Sequence, residues 1–151
     1  MTILDAHVNT RFGIIVSRWN EEVTMRLLDG ALKTLKEEGI PENCVEVVKV
    51  PGAFEIPLVA QCMAERKCFN ALICLGAVIQ GETTHHEHIG REVSGGIQKV
   101  SLTYNIPIGF GILTTQTEEQ ALERAGGKMG NKGRETTLAA LEMVSLLRKM
   151  K

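Results

Sequence analysis

Short apolar runs alternate with amphipathic stretches along most of this chain, and that alternation leaves few folds open. Residues 11–17, with Phe12-Gly13-Ile14-Ile15-Val16, read as a first strand. Residues 44–50, 71–78 and 106–113 read as three more. Runs apolar at nearly every position belong to strands buried on both faces. Between them the apolar spacing becomes helical. A first helix runs from a cap at Asn20 to about Glu38, with Val23, Leu27, Ala31 and Leu35 on one side and Gly39 at its end. Pro57 fits the first turn of a second, whose buried side holds Ile56, Val59, Ala60 and Met63. Residues 85–104 repeat Ile89, Val93, Ile97 and Val100 as a third. Thr117-Glu118-Glu119-Gln120 is a capping box for a short fourth helix ending before Gly126. A last helix starts at or near Asn131, turns Leu138, Leu141, Val144 and Leu147 inward, and ends in Arg148, Lys149 and Lys151, which suit its C-terminal dipole.

The order β-α-β-α-β-α-β-α-α predicts an α/β fold: a three-layer αβα sandwich around a four-stranded parallel sheet, flavodoxin-like. Right-handed crossovers predict strand order 2-1-3-4. At 151 residues with 44 % apolar content, one domain spanning residues 1–151 is expected. Ligands of such sheets bind beyond the carboxyl ends of the strands, near the switch between strands 1 and 3. The segments at those ends are Ser17-Arg18-Trp19-Asn20, Pro51-Gly52-Ala53-Phe54-Glu55, and residues 76–88.

Composition narrows the function classes. A net charge of −1 with one Trp, one Tyr and four Phe argues against a nucleic-acid partner, which needs basic excess or stacking platforms. No apolar run approaches a membrane span, so no membrane partner is expected. Residues 1–9 have neither the basic nor the apolar region of a signal peptide. The four cysteines form no C-x-x-C pair; Cys44 and Cys74 fall in strand-like runs and Cys62 on an apolar helix face. Buried free thiols in a cytoplasmic protein are the simplest reading.

The candidate site residues each admit two readings. Trp19 is a stacking platform for a flat heterocycle or a hydrophobic lid on the first helix. Glu55 bonds ligand hydroxyls or serves as a first-turn acid favoured by the helix dipole. Gly81-Glu82-Thr83-Thr84 holds a phosphate through backbone N–H groups and hydroxyls, or simply caps the third helix. His85, His86 and His88 with Glu87 admit a metal reading, but their order is not that of zinc proteases. One histidine acting as an acid–base group beside an anion site is the better reading. Arg124, Lys128, Lys132 and Arg134 are a solvated face from which a phosphate needs one or two.

Taken together, the motifs resemble one family, lumazine synthase. The resemblance rests on Ser17-Arg18-Trp19-Asn20, on Val50-Pro51-Gly52-Ala53-Phe54-Glu55-Ile56-Pro57, and on the run from Gly76 to His85. Gly111-Ile112-Leu113-Thr114-Thr115, then Glu123-Arg124-Ala125-Gly126 and Gly130-Asn131-Lys132-Gly133, complete it. It spans residue 11 to about 147.

The resemblance implies a transferase of riboflavin biosynthesis. Its two small-molecule substrates are 5-amino-6-(D-ribitylamino)uracil and 3,4-dihydroxy-2-butanone 4-phosphate, and it uses no cofactor and no metal. It implies His85 as proton shuttle and Trp19 as ring-stacking residue. Asn20, Ala53, Phe54 and Glu55 would line the ribityl pocket; Val78, Ile79 and Gln80 would flank the pyrimidine. Glu82, Thr83 and Arg124 would hold phosphate. Phe110 and Lys132 would also contact the pyrimidine and its ribityl chain, and Phe110, Arg124 and Lys132 would come from a neighbouring subunit. It also implies homo-oligomers: rings of five joined through an N-terminal arm (residues 1–9), extending to a sixty-subunit shell, with riboflavin synthase as a candidate cargo. The chain departs from most members at Trp19, where Phe is usual, at Gln80, where Arg is common, and at His86, where an aromatic is common. A flavin- or lumazine-binding protein, or a cage protein with little turnover, are the alternatives on the same scaffold.

Overall fold

The computed structural model describes residues 9–81 and 85–151. Four strands, β1 (Phe12–Ser17), β2 (Val45–Val50), β3 (Ala71–Ile79) and β4 (Ile108–Thr115), form one parallel sheet in the order β2-β1-β3-β4. This is the predicted order, and β2 and β4 are its two rims. The helices are α1 (Glu21–Glu37), α2 (Ile56–Glu65), α3 (His85–Tyr104), α4 (Glu118–Glu123) and α5 (Lys132–Met150). Between α4 and α5 lies a small antiparallel ribbon, β5 (Ala125–Gly127) with β6 (Gly130–Asn131). Among the described residues no helix is long and apolar enough to cross a membrane.

The sheet is buried on both faces because its side chains alternate between two cores. Phe12, Ile14, Val16, Ile73 and Leu75 pack with α1 and α5 on one side. Ile15, Leu72, Cys74 and Ile112 pack with α2 and α3 on the other. Each large side chain so buried contributes about 1.5–3 kcal/mol. Where a helix must come closer than a side chain permits, the sequence has glycine. A Cβ at Gly109 would lie 2.6 Å from Thr136 Cγ2, and one at Gly111 would lie 3.2 Å from Thr136 Oγ1, so α5 rests directly on β4.

The helix ends follow the sequence with one exception. Gly39 takes φ 84°, and Ile40 N donates to Leu35 O and Gly39 N to Lys36 O, which closes α1 in a Schellman turn. The box before α4 is complete: Thr117 Oγ1 accepts from Gln120 N at 3.1 Å, and Gln120 Oε1 from Thr117 N at 3.3 Å. Asn131 caps α5 through Arg134 N. Asn20 occupies the N-cap position of α1 but makes no side-chain cap. Its left-handed backbone, φ 63° and ψ 46°, turns the amide away, and Nδ2 donates to Ala77 O at 3.2 Å. It therefore ties the end of β1 to the end of β3.

The thiol reading needs correction. All four cysteines are free, but only Cys74 is buried; Cys62 points to solvent, and Cys44 and Cys68 are half-buried. Cys44 ends a 3-10 turn before β2 instead of lying in the strand. Burial pushes the Cys74 thiol from 9.0 up to about 12. At neutral pH a thiol reagent is expected to modify Cys62 first and Cys74 only on unfolding, read by peptide mass spectrometry. Labelling of Cys74 in step with Cys62 would contradict this burial. Since the unfolded thiol ionises near 9 and the native one near 12, Cys74 makes stability fall as pH rises through that window.

Candidate active site

The loops after β1 and β2 are laid side by side by backbone bonds. Arg18 N donates to Val50 O at 2.8 Å and Trp19 N to Pro51 O at 2.9 Å. The Trp19 indole consequently sits on Gly52, where a Cβ would collide with the ring. The rest of the ring is open: Trp19 is 65 % exposed, so it is not a buried lid on α1. A flat apolar surface of this kind suits a planar ligand.

Glu55 lies under the same edge. A 3-10 turn, Ala53–Glu55, leads into α2, and Glu55 N donates to Gly52 O. The position of a Gly52 Cβ would be 3.3 Å from Glu55 Oε2, as well as against the indole. Oε2 is shielded from solvent and has no hydrogen-bond partner among the described residues. A shielded carboxylate oxygen without a donor is costly, and a ligand hydroxyl would satisfy it. Phe54 stands beside it, 62 % exposed. Ala53 is buried, so it shapes the floor and offers no reaching side chain.

At the end of β3, Val78 is buried in the α2/α3 core and Ile79 is half-buried against the α1/α5 core. Val78 can therefore meet a ligand only through its backbone. Gln80 is exposed, and its N–H donates to Thr115 O at 2.8 Å, extending the β3–β4 pairing by one step. His85 opens α3 as an exposed side chain and His86 follows half-buried. Glu82 and Thr83 lie outside the described residues. Among the described residues no three His, Cys, Asp or Glu side chains gather as a metal site.

A second group assembles at the β4 rim. A cleft of about 630 Å³ is lined by Phe110, Thr114, Gln116, Arg124, Met129 and Lys132, among others. Phe110 is 41 % exposed on the rim strand. The two cations are held together by backbone, since Lys132 N donates to Arg124 O at 2.7 Å across the ribbon. Trp19, Asn20, Glu55 and His85 do not line this cleft. β1 and β4 are two strand spacings apart, about 10 Å. The anticipated residues thus form two separate surfaces on one chain: a flat aromatic and carboxylate surface, and a cationic cleft.

The ribbon and Met129 were not anticipated from sequence. Their signal was Gly126 and Gly130, which adopt φ 101° and 85° and shape a tight reversal. The family model for 6,7-dimethyl-8-ribityllumazine synthase matches residues 9–148.

Proposed function

The chain belongs to the 6,7-dimethyl-8-ribityllumazine synthase family, and from that premise we propose that it condenses 5-amino-6-(D-ribitylamino)uracil with 3,4-dihydroxy-2-butanone 4-phosphate. The observation that carries this reading is the division of the candidate site into two unlike surfaces. One substrate is a flat ring bearing a polyol, and the other is a small phosphate ester. Trp19 with Glu55 matches the first, with Phe110 and Lys132 as further contacts to it from a neighbour; Arg124 matches the second.

The amine of the pyrimidine adds to the ketone and water leaves to give an imine. Phosphate is then eliminated, and the second nitrogen closes the ring with loss of water. In this reading Trp19 stacks on the pyrimidine, with Val78, Ile79 and Gln80 along its edge. Asn20, Ala53, Phe54 and Glu55 surround the ribityl chain, and Glu55 accepts from its hydroxyls. Arg124, with Glu82 and Thr83, holds the phosphate. His85, at the start of α3, moves protons between the condensing atoms. Bringing two reactants together in one orientation supplies much of the rate, which suits a modest set of side chains without metal or redox cofactor.

A turnover assay with the two substrates tests the reading directly: formation of the lumazine chromophore supports it, and none at saturating substrates overturns it. His85→Ala is expected to lower turnover about tenfold, below the usual range for acid–base groups because proximity carries part of the rate. A larger loss in His86→Ala would reassign the proton shuttle.

Trp19 and Glu55 do not line the cleft that holds Arg124, so the reading also has a neighbour supply Phe110, Arg124 and Lys132. Rings of five subunits meet that need with closed symmetry, and twelve rings make a sixty-subunit shell. From 16.6 kDa per chain, native mass is expected at about 1 MDa for the shell, or about 83 kDa for a ring alone. An active monomer or dimer would rule out a shared site around a ring.

A further inference from the structure

The cleft at the β4 rim contains a large apolar side chain that the proposed phosphate grip leaves unused. Met129 is 58 % exposed and lines the same cleft as Arg124 and Lys132. It sits on a fixed support. Met129 N donates to Glu123 O at 2.8 Å, and the left-handed Gly130 follows it. The ribbon beneath lies flat on α4, because a Cβ at Gly127 would come within 2.8 Å of Glu123 Cα and 2.9 Å of Leu122 O. The backbone bond between Lys132 and Arg124 closes the other end. Thioether, guanidinium and ammonium are therefore presented by one rigid turn.

A guanidinium alone grips any phosphate. With Met129 beside that guanidinium and the exposed Phe110 on the cleft wall, the cleft also offers apolar surface to whatever carbon the phosphate is attached to. We infer that Met129 is a specificity-determining residue of this cleft, favouring a phosphate monoester of a short carbon chain over inorganic phosphate. The polarizable, unbranched side chain covers the ester's methylene groups and removes them from water. Inorganic phosphate has no such groups and gains nothing from it. This deepens the proposed condensation, on which the identity of the natural ester rests: the substrate carries a four-carbon skeleton, and the released phosphate does not. The wall makes the substrate bind more tightly than the product it leaves behind.

Titration calorimetry on the assembled full-length protein, with n-butyl phosphate and inorganic phosphate as probes, tests the inference. The wild type is expected to prefer the butyl ester. Met129→Ala is expected to cut that preference about three- to tenfold while inorganic phosphate binds as before, and Met129→Leu to restore it. An unchanged preference in Met129→Ala overturns the inference. So does a parallel fall in both affinities, which would mean that Met129 only shapes the ribbon. If the wild type fails to turn over the two substrates while the preference still follows residue 129, the condensation reading falls and this one stands.

Discussion

Replacing Arg124 with alanine is expected to weaken binding of the phosphorylated four-carbon substrate roughly 10- to 100-fold, while pyrimidine binding hardly changes. The magnitude follows from losing charge-assisted hydrogen bonds worth about 1.5–3 kcal/mol. Lys132 remains in the same cleft as a point charge, which keeps the loss from being larger. The ribbon survives, because the bond joining the two residues runs from Lys132 N to Arg124 O and uses no side chain. The check is a pair of KM values, each with the other substrate saturating, together with competition by inorganic phosphate. An equal loss for both substrates would make Arg124 a structural residue and break the link between the cationic cleft and the phosphate.

Gly133→Ala is expected to destabilise the fold by about 3 kcal/mol, the top of the range for overpacking. A Cβ at Gly133 would collide with the carbonyl oxygen of Leu27, which is helix backbone and cannot rotate aside. On the facing helix, a Cβ at Gly30 would run into the Asn131 side chain. At the crossing of α1 and α5, two threonines satisfy their hydroxyls by reaching back along their own helices, which leaves neither hydroxyl unpaired between the two. Thr34 Oγ1 donates to Gly30 O and Thr137 Oγ1 to Gly133 O, each at 2.7 Å. Admitting a methyl group would part the helices and loosen Leu27, Ala31 and Leu141, which are all buried there. For a domain of this size the melting temperature is expected to drop by roughly 6–12 °C. Gly95→Ala in α3 is the control, since a Cβ there meets nothing within 4 Å among the described residues. If the two variants melted together, the close crossing would not matter.

The central strands β1 and β3 were legible because they are buried on both sides, which leaves runs of apolar residues; β2 kept its valines at a strand-like spacing although Glu46 and Lys49 interrupt it at the rim. Strand β4 begins two residues later than its apolar run, at Ile108; Ile106 and Pro107 are buried and lead into it, with Pro107 O accepting from Leu72 N at 2.9 Å. Cys62 was misplaced because α2 is apolar around most of its circumference, and composition alone does not say which side faces the sheet. Asn20 holds the cap position that its place before the helix predicts, but its left-handed backbone directs the amide to Ala77 O, a bond between strand ends that no local pattern marks. The pairing of Trp19 with Glu55 depends on two loops meeting over Gly52, a tertiary event with no local signature. The ribbon at residues 125–131 is too short to have a hydrophobic period, and only its two positive-φ glycines mark it.

Both rims of the sheet are ordinary strands, Val45–Val50 on one side and Ile108–Thr115 on the other. Val47 on the first and Phe110 on the second stand well out into solvent. A newly made chain with two such rims is adhesive in the wrong way as well as the right one, since a rim strand with no outer partner among the described residues offers its backbone to any passing strand. In the proposed assembly its hazardous interval is the time between folding and meeting a neighbouring subunit. Slow synthesis lengthens that wait by keeping subunits dilute, and fast synthesis crowds half-folded chains together. The yield of sound protein is thus a contest of rates, governed by how quickly the rims are covered as much as by how firmly the core is packed.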